Sequence, residues 1–452
     1  MKKLFLLNLF DGRNLLYNGK KLSYLGYTDI STDLVSNLIW QEGRKLIDDC
    51  GGGFNFFGLV TYNLLEYYKK MKVSGMEINT IVNELDLLQK NLIAYLAKIR
   101  FSYTNSKSIN THLKDKKYSG LIQYVANHIG KYGIADLKRT NKIEDIKIVL
   151  HNGFIISSDI LSPDIFELYK LDIIKFQNVN VAVLNNSLNY SNEFVSLLNI
   201  CHNLKTPLII FCKSIEKKAL QTMYLNIQKG NIDGAVIRLP FVDDKRIDFM
   251  EDMKTFTKCN IASSSISPTD LGTLDSIEIN KFDKYIKFSF QNVDIDLDKI
   301  LNKKDLYSSN LDKMAVVSKV SRLYGKNATV YIGGTNREDL YTDIKNALMV
   351  HKNILIYGGI KGGFDFLHWW GLENNEFPKG LKKAVAQVCY NLIQKICGDP
   401  VSNYLHPTQI FSFEKKKFVD PLEEGIVDSA YILKEAIKRS CSLVKTLISS
   451  GN

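Results

Sequence analysis

The sequence predicts a multidomain protein of the α and α/β classes, with a helical domain built from both ends of the chain and an α/β domain inserted between them. Apolar residues recur at helical spacing across residues 34–100. The same spacing returns in residues 380–397 and 430–448. The centre holds short β-rich runs separated by helical stretches, which is the pattern of an α/β domain.

The individual elements follow from these patterns. In the N-terminal part, Leu85, Leu88, Leu92 and Leu96 lie three or four positions apart, so they share one face of a helix. The β-rich runs of the centre are Val181 to Leu184, Pro207 to Phe211, Ala235 to Leu239 and Ile277 to Ile279. Each run has the length and composition of one strand. A helix-periodic segment ends the chain.

The composition bounds the class of protein. With 452 residues and 45% apolar side chains, the chain can bury more than one core, and two or three domains are expected. Eight prolines and 28 glycines argue against a disordered or collagen-like chain. The seven cysteines are scattered without metal-ligand pairs, which is typical of reduced thiols in a cytosol or organelle matrix.

The net charge of +11 is spread along the chain and does not gather into one arm or face. A basic nucleic-acid-binding protein is therefore only a remote alternative, because it would need clustered lysine and stacking aromatic residues. The segment Met1 to Phe10 has too short an apolar run to span a bilayer and has no small-residue cleavage site. We expect a cytoplasmic protein without membrane contact, or one of an organelle matrix (mitochondrion or plastid) if a leader is missing from this chain.

The last 42 residues hold the most specific pattern. A polar strand-turn-strand from Phe411 to Asp420 precedes Gly425, Ile426, Val427 and Asp428, and an apolar-periodic helix follows. This order resembles the C-terminal segment of the group I chaperonins, the 60-kDa (GroEL/Hsp60-like) family, in which a Gly-Ile-X-Asp tetrad holds adenine nucleotide. Weaker matches in the same order extend the resemblance over nearly the whole chain, including Pro207 to Gly230 and Gly325 to Gly334.

The resemblance implies three domains. They are an equatorial domain that binds nucleotide and contacts ring neighbours (1–100 and 357–452), an intermediate hinge domain (101–151 and 326–356) and an apical polypeptide-binding domain (152–325). The family's first helix is almost entirely absent, so we expect a chain truncated at its N-terminus. The resemblance also implies an oligomeric ring, of one or more kinds of subunit.

The family's nucleotide-contacting positions are carried over residue by residue. The resemblance assigns nucleotide binding to Gly12, Gly51, Gly52, Gly53, Gly362, Gly363, Ile426 and Asp428, and a carboxylate near the γ-phosphate to Asp33. Two purely structural alternatives stay open. Gly362 and Gly363 could form a purely structural turn, and Asp428 could be the N-cap of the last helix.

Two acids that the family needs for hydrolysis are missing. Gly52 stands at the metal-binding aspartate, and Asn346 stands at the aspartate that activates water. Phe54 and Phe56 replace two of three threonines. The loss of one electrostatic or general-base group lowers a rate by on the order of 10² or more. We therefore expect ATP or ADP as the ligand, weak or no ATP hydrolysis, an incomplete Mg²⁺ site and no other metal site, with Asp33 and Asn346 as a degenerate catalytic pair.

The family captures unfolded chains on an apolar groove, because non-native proteins share exposed hydrophobic area. The matching positions here are Ile160, Ile165, Val195, Leu198, Leu220, Tyr224 and Leu225. Helical spacing puts the members of each helix on one side. The alternative is that these residues face the core of the α/β domain. In the family the same groove takes the mobile loop of a 10-kDa co-chaperonin, which is a further candidate partner.

Two functions remain in competition within this resemblance. One is an ATP-driven folding machine that acts on unfolded polypeptide clients, with an intact sister subunit supplying hydrolysis. The other is an ATP-independent holdase or assembly factor derived from such a machine. Gly52 and Asn346 disfavour hydrolysis by this chain alone.

Overall fold

The computed structural model shows a chain that divides into two compact units. The helical unit comprises Met1–Lys131, Asp136–Ile148 and Thr329–Asn452, and the inserted unit comprises Tyr132–Ala135 and Val149–Ala328. The residues that the structure describes are 15–17, 20–22, 34–113, 115–241, 243–263, 266–282, 285–289, 296–302, 310–362, 365–397, 405–406, 408–412, 415 and 417–450.

Most of the helical unit is α-helix. Its described helices are Leu34–Cys50, Phe54–Val73, Ile78–Ile99, Ile109–His112, Ser119–Ile129, Arg337–Tyr357, Phe366–Glu373, Lys379–Cys397, Pro421–Glu424 and Ala430–Ser449. The 3-10 turns are Ser106–Ser108 and Lys116–Tyr118. Its described strands pair as antiparallel ribbons: Leu15–Tyr17 with Lys20–Leu22, Gly359–Lys361 with Val427–Ser429, and Ile410–Ser412 with Lys417–Val419.

The core of the helical unit is built around the helix Phe54–Val73, most of whose side chains are buried. The last helix, Ala430–Ser449, packs against it and against Ile78–Ile99. Inside this apolar core, Thr61 Oγ1 donates to Ser440 Oγ at 3.0 Å, so the two polar groups satisfy each other. Both ends of the chain thus contribute to one core, as the periodicity predicts.

The inserted unit is an α/β unit with a mixed seven-stranded sheet. The strands of that sheet are Phe154–Ser157, Ile173–Leu184, Leu208–Cys212, Gly234–Arg238, Ile261–Ala262, Gly272–Asn280 and Tyr285–Ser289. A short parallel pair is formed by Ser187–Leu188 and Ser214–Ile215. Three further strands of the chain are Ala135–Arg139, Ile146–Asn152 and Lys326–Ile332. The described helices and 3-10 turn of this unit are Ile165–Tyr169, Asn192–Leu204, Lys217–Gln228, Asp243–Thr257, Pro268–Asp270, Leu297–Asn302 and Asn310–Tyr324.

Two consecutive strand-helix-strand segments position the two helices that contain predicted polypeptide-binding residues. Ile173–Leu184, Leu208–Cys212 and Gly234–Arg238 run parallel, and they pair in that order. The helices Asn192–Leu204 and Lys217–Gln228 connect them, as expected of parallel strands, which need long crossovers. Each predicted β-rich run overlaps one strand of the sheet. The predicted fold class is therefore confirmed, whereas the division into three domains stays a prediction.

Among the described residues, no helix combines the length and apolar character needed to cross a bilayer.

Candidate functional site

The predicted phosphate-binding glycines form a tight turn between two helices of the helical unit. Gly51 and Gly53 have φ angles of +87° and +94°, which favour glycine because a Cβ atom is strained there. The Gly51 N–H donates to the Ile47 carbonyl oxygen at 2.7 Å. Gly53 precedes the helix Phe54–Val73, and its carbonyl oxygen accepts from the Phe57 N–H at 2.9 Å. The turn therefore ends one helix and begins the next.

This turn lies against the helix that contains Asn346. Asn353 Nδ2 donates to the Cys50 carbonyl oxygen at 3.0 Å, which fixes the helix Arg337–Tyr357 beside the turn. Asn346 itself is half-buried. The two positions at which the sequence predicts lost acids, Gly52 and Asn346, are thus on elements in direct contact.

The surroundings of Gly52 are apolar. A Cβ atom at this position would lie 3.3 Å from Val350 Cγ2 and 4.0 Å from Ile432 Cδ1. Phe54 and Phe56, in place of threonines, are buried, and the Phe56 ring packs 5.9 Å from that of Phe366. This part of the site offers backbone amides and apolar surface, but neither phenylalanine supplies a hydroxyl to a phosphate.

The predicted nucleotide-binding residues of the C-terminal part of the chain form a second group in the same unit. The Gly362 N–H donates to the Ile426 carbonyl oxygen at 3.0 Å, and a Cβ at Gly362 would come 3.0 Å from Ile426 Cγ2. Asp428 lies in a strand and pairs with Ile360. The N-cap of the last helix is Ser429, so the alternative that Asp428 is this N-cap is excluded. Gly362, Ile426 and Asp428 are therefore neighbours.

Three predicted nucleotide-site residues, Gly12, Asp33 and Gly363, lie outside the described residues. Within the described part of the chain, no group of three or more His, Cys, Asp or Glu side chains is arranged to hold a metal ion.

A buried ion pair beside Gly362 was not predicted from the sequence. Lys361 Nζ lies 3.5 Å from Asp365 Oδ2, and the two side chains are 17% and 3% exposed. Burial, with a smaller contribution from Asp428, raises the pKa of Asp365 to about 7 against the opposing influence of the Lys361 ammonium. Burial also lowers the pKa of Lys361, against the influence of Asp365. The only sequence signal was a lysine and an aspartate four positions apart around two glycines.

Two histidines lie close to the same elements. His351 is buried on the helix Arg337–Tyr357, and its Nδ1 is 2.7 Å from Ser108 Oγ. His112 Nε2 is 3.0 Å from the Val427 carbonyl oxygen, next to Asp428. Burial lowers the pKa of His351 to about 4, with a further contribution from His112, and burial also lowers the pKa of His112. Both imidazoles are therefore neutral at pH 7.

The predicted polypeptide-binding residues lie in the inserted unit, and they divide into two groups by burial. On the helix Lys217–Gln228, Ala219, Met223 and Ile227 form the buried stripe. Leu220 and Tyr224 lie next to this stripe and are half-buried, and Leu225 is 54% exposed. Leu225 thus presents most of its apolar side chain to solvent.

Two of these predictions require a correction. Ile165 is 0% and Leu198 is 4% exposed, and both belong to the core of the inserted unit. On the helix Asn192–Leu204, Leu198 continues the buried stripe of Phe194, Leu197 and Cys201, and Val195 is half-buried at its edge. We therefore exclude Ile165 and Leu198 from the candidate surface.

Ile160, which precedes the helix Ile165–Tyr169 in the chain, is half-buried and forms an isolated β-bridge with Ile237. Four positions after Ile160, the Asp164 N–H donates to Tyr224 Oη at 3.3 Å. This hydrogen bond connects the residues before the helix Ile165–Tyr169 to the helix Lys217–Gln228. We define the candidate apolar surface as Ile160, Val195, Leu220, Tyr224 and Leu225.

Comparisons with known proteins identify similar chains over most of this length. No protein-family model matches the chain. The GroEL chaperonin of Anaplasma marginale (strain Florida) is 19% identical over 448 residues, which cover 90% of this chain and 81% of that protein. That of Wolbachia pipientis wMel is 20% identical over 459 residues, with 92% and 82% covered. For that of Neorickettsia risticii, 22% identical over 354 residues, the match covers 72% of this chain and 65% of that protein, less than two thirds.

Two solved structures share the fold. The chaperonin gp146 from bacteriophage EL 2 (Pseudomonas aeruginosa), crystallised in the presence of ATP-BeFx, gives a TM-score of 0.57 at 15% identity, with 99% of this chain and 94% of that chain covered. A group III chaperonin in the open state gives a TM-score of 0.58 at 12% identity, with 99% and 96% covered. The resemblance predicted from the sequence is confirmed, and the chain has a divergent chaperonin fold.

Proposed function

We propose that this divergent relative of the chaperonins assists protein folding by binding non-native polypeptides on the apolar surface of its inserted unit, with weak or no ATP hydrolysis. The observation that carries the proposal is the exposure of Leu225 on the same helix as the half-buried Leu220 and Tyr224. Apolar side chains that form a contiguous exposed patch are typical of interaction sites.

The composition of the nucleotide site supports weak hydrolysis. Gly52 has no carboxylate, and its surroundings at Val350 and Ile432 are apolar. Asn346 can hydrogen-bond a water molecule but has no negative charge with which to activate it. A bound nucleotide would then be held by the backbone of the glycine turn Gly51–Gly53 and by the Gly362, Ile426 and Asp428 group.

The same site supports ATP or ADP as ligand without a complete set of Mg²⁺ ligands. Asp49 is the carboxylate nearest to Gly51 along the chain, and it is ion-paired with Arg439 at 2.5 Å. A magnesium ion needs oxygen ligands that are free to coordinate it. We infer that nucleotide binding, where it occurs, depends little on magnesium.

Two modes of action follow, and they are distinguished by hydrolysis. In the first, this subunit joins a ring whose other subunits hydrolyse ATP, with a 10-kDa co-chaperonin as a further partner. In the second, it acts as an ATP-independent holdase or assembly factor. The apolar environment of Gly52 favours the second mode for the chain acting alone.

The decisive experiment combines electron microscopy with an aggregation assay on the purified protein, with and without ATP and magnesium. Suppression of the aggregation of a chemically denatured protein, independent of ATP, would support the holdase. Rings together with ATP-dependent client release would support the machine. If aggregation were not suppressed in the presence or in the absence of ATP, polypeptide binding would be contradicted.

A further inference from the structure

The Lys361–Asp365 pair lies beside the bend at Gly362, which we call the Gly362 turn. Lys361 is the last residue of the strand Gly359–Lys361, and Asp365 directly precedes the helix Phe366–Glu373. Their ion pair therefore connects this strand to the start of that helix, at a distance of 3.5 Å. Lys361 Nζ also donates to the backbone carbonyl oxygen of His406. One ammonium group thus fixes the turn both to the following helix and to the segment before the strand Ile410–Ser412.

Burying this ion pair costs free energy, so stability alone does not explain its position. Desolvation of two charges can exceed their mutual attraction, and apolar residues of similar size often stabilise a core as well or better. Among the described residues, Asp365 Oδ2 makes no hydrogen bond in addition to the ion pair. A buried carboxylate with unused acceptor capacity is weak support for stability alone. A role in holding a specific conformation accounts better for the arrangement.

The conformation that the pair holds is that of the second group of predicted nucleotide-binding residues. Gly362 contacts Ile426 through its backbone N–H, and Lys361 pairs with Val427 in the ribbon that contains Asp428. Asp428 is close enough to Asp365 to act on its protonation. The pair and the three candidate nucleotide-contacting residues are therefore parts of one arrangement.

We propose that Lys361 and Asp365 are positioning residues that hold the Gly362 turn, with Ile426 and Asp428, in the conformation that receives the nucleoside part of a nucleotide. This inference rests on the nucleotide site of the proposed function and adds its recognition mode. The nucleoside is recognised through a preorganised turn, so that neutral adenosine and ADP depend equally on the pair. Magnesium, which acts at phosphates, has no part in this recognition.

Proton uptake gives the proposal a specific signature. The charged groups that act on Asp365 in the described structure are Lys361 and Asp428. A ligand that covers the turn removes water from Asp365 and favours its neutral form further. Because the pKa of Asp365 is already raised to about 7, binding at pH 7 takes up part of a proton.

The test is calorimetric titration of the full chain with adenosine and with ADP, in EDTA, at pH 7, in two buffers of different ionisation enthalpy. We expect Lys361→Met and Asp365→Asn each to weaken both ligands by the same factor, on the order of tenfold. Wild type should show proton uptake with adenosine, and Asp365→Asn should not. The matched control is Lys98→Met, which breaks an exposed 3.2 Å ion pair with Glu373 and should leave affinity unchanged.

A double variant, Lys361→Met/Asp365→Leu, separates positioning from folding, because it leaves no unpaired charge from this pair in the core. It should fold and should bind as weakly as the single variants. Wild-type affinity in the double variant, or unchanged affinity and proton uptake in Asp365→Asn, would overturn the inference alone. If neither ligand bound wild type, the nucleotide part of the proposed function would be overturned together with it.

Discussion

Gly51 lies directly against the backbone of Asn346. A Cβ atom at Gly51 would come within 2.8 Å of the Asn346 carbonyl oxygen and within 2.7 Å of Met349 Cβ. The turn assigned to phosphate binding and the helix assigned to water activation are therefore packed together without space for a methyl group. The two elements are in contact although Gly52 and Asn346 stand at the positions of the acids that hydrolysis needs in the family.

The first prediction concerns the packing at Gly51. Gly51→Ala should destabilise the protein by about 3 kcal/mol. The φ angle of Gly51 is positive, and the new methyl group would collide with the Asn346 carbonyl oxygen and with Met349 Cβ. Gly75→Ala is the matched control, since Gly75 has φ +95° and no described atom lies within 4 Å of its Cβ position. It should lose about 1 kcal/mol from backbone strain alone. Urea unfolding measures both values, and equal losses would contradict the contact.

The second prediction concerns restoration of the acids. Gly52→Asp/Asn346→Asp should leave ATP hydrolysis within about twofold of wild type, because the carboxylate introduced at position 52 would emerge beside Val350 and Ile432. In a site that is otherwise intact, restoring such a group would raise the rate by on the order of 10². A steady-state phosphate-release assay distinguishes the two. A rise of that size would show that only the two acids were missing.

The third prediction concerns the apolar surface. Leu225→Ser should weaken suppression of client aggregation and leave the free energy of unfolding within about 0.5 kcal/mol, because Leu225 is 54% exposed. Val73→Ser is the matched control, since Val73 is an exposed apolar residue of the helical unit. Light scattering of a denatured client checks both variants. Equal suppression by Leu225→Ser and wild type would remove Leu225 from the binding surface.

The fourth prediction concerns pH. The pKa of His351 is lowered to about 4, so the unfolded chain binds a proton that the native state refuses as pH falls below about 6.5. The contribution of His351 to stability is therefore present above about pH 6.5 and is lost progressively towards pH 4. Between pH 7 and pH 5 this loss is roughly 2 kcal/mol.

The pH dependence of stability must be measured as a difference between wild type and a His351 variant, because the titration of Asp365 changes stability in the opposite sense. Its raised pKa means that the native state keeps a proton that the unfolded state releases, so its contribution falls as pH rises from about 4 to 7. The unfolding free energy of wild type minus that of His351→Asn should therefore fall by roughly 2 kcal/mol between pH 7 and pH 5. A constant difference would contradict the assignment of a neutral, buried His351.

The fold was predictable because its signals are local and periodic. The helical spacing near Leu85 and the short run at Val181 both report which face is buried, and the structure places both in a core. The contact between Gly51 and the helix of Asn346 joins positions far apart in the chain. Only the resemblance to chaperonins brought these positions into one site, since composition and spacing say nothing about it.

The burial of individual side chains was harder to predict. Leu198 and Val195 share a helical face by spacing, but one residue falls inside the core stripe and the other at its edge. A pattern of apolar residues does not distinguish a buried stripe from a binding surface beside it. The Lys361–Asp365 pair was missed because opposite charges around two glycines are typical of exposed loops, and burial is a property of the tertiary structure.

The most direct test of the central claim is the aggregation of a denatured client protein, followed by light scattering with the purified wild-type protein, with and without ATP and magnesium. The account predicts that the protein suppresses aggregation to the same extent in both conditions, because the apolar surface acts without nucleotide turnover. Suppression that requires ATP and magnesium, or no suppression in either condition, would contradict it.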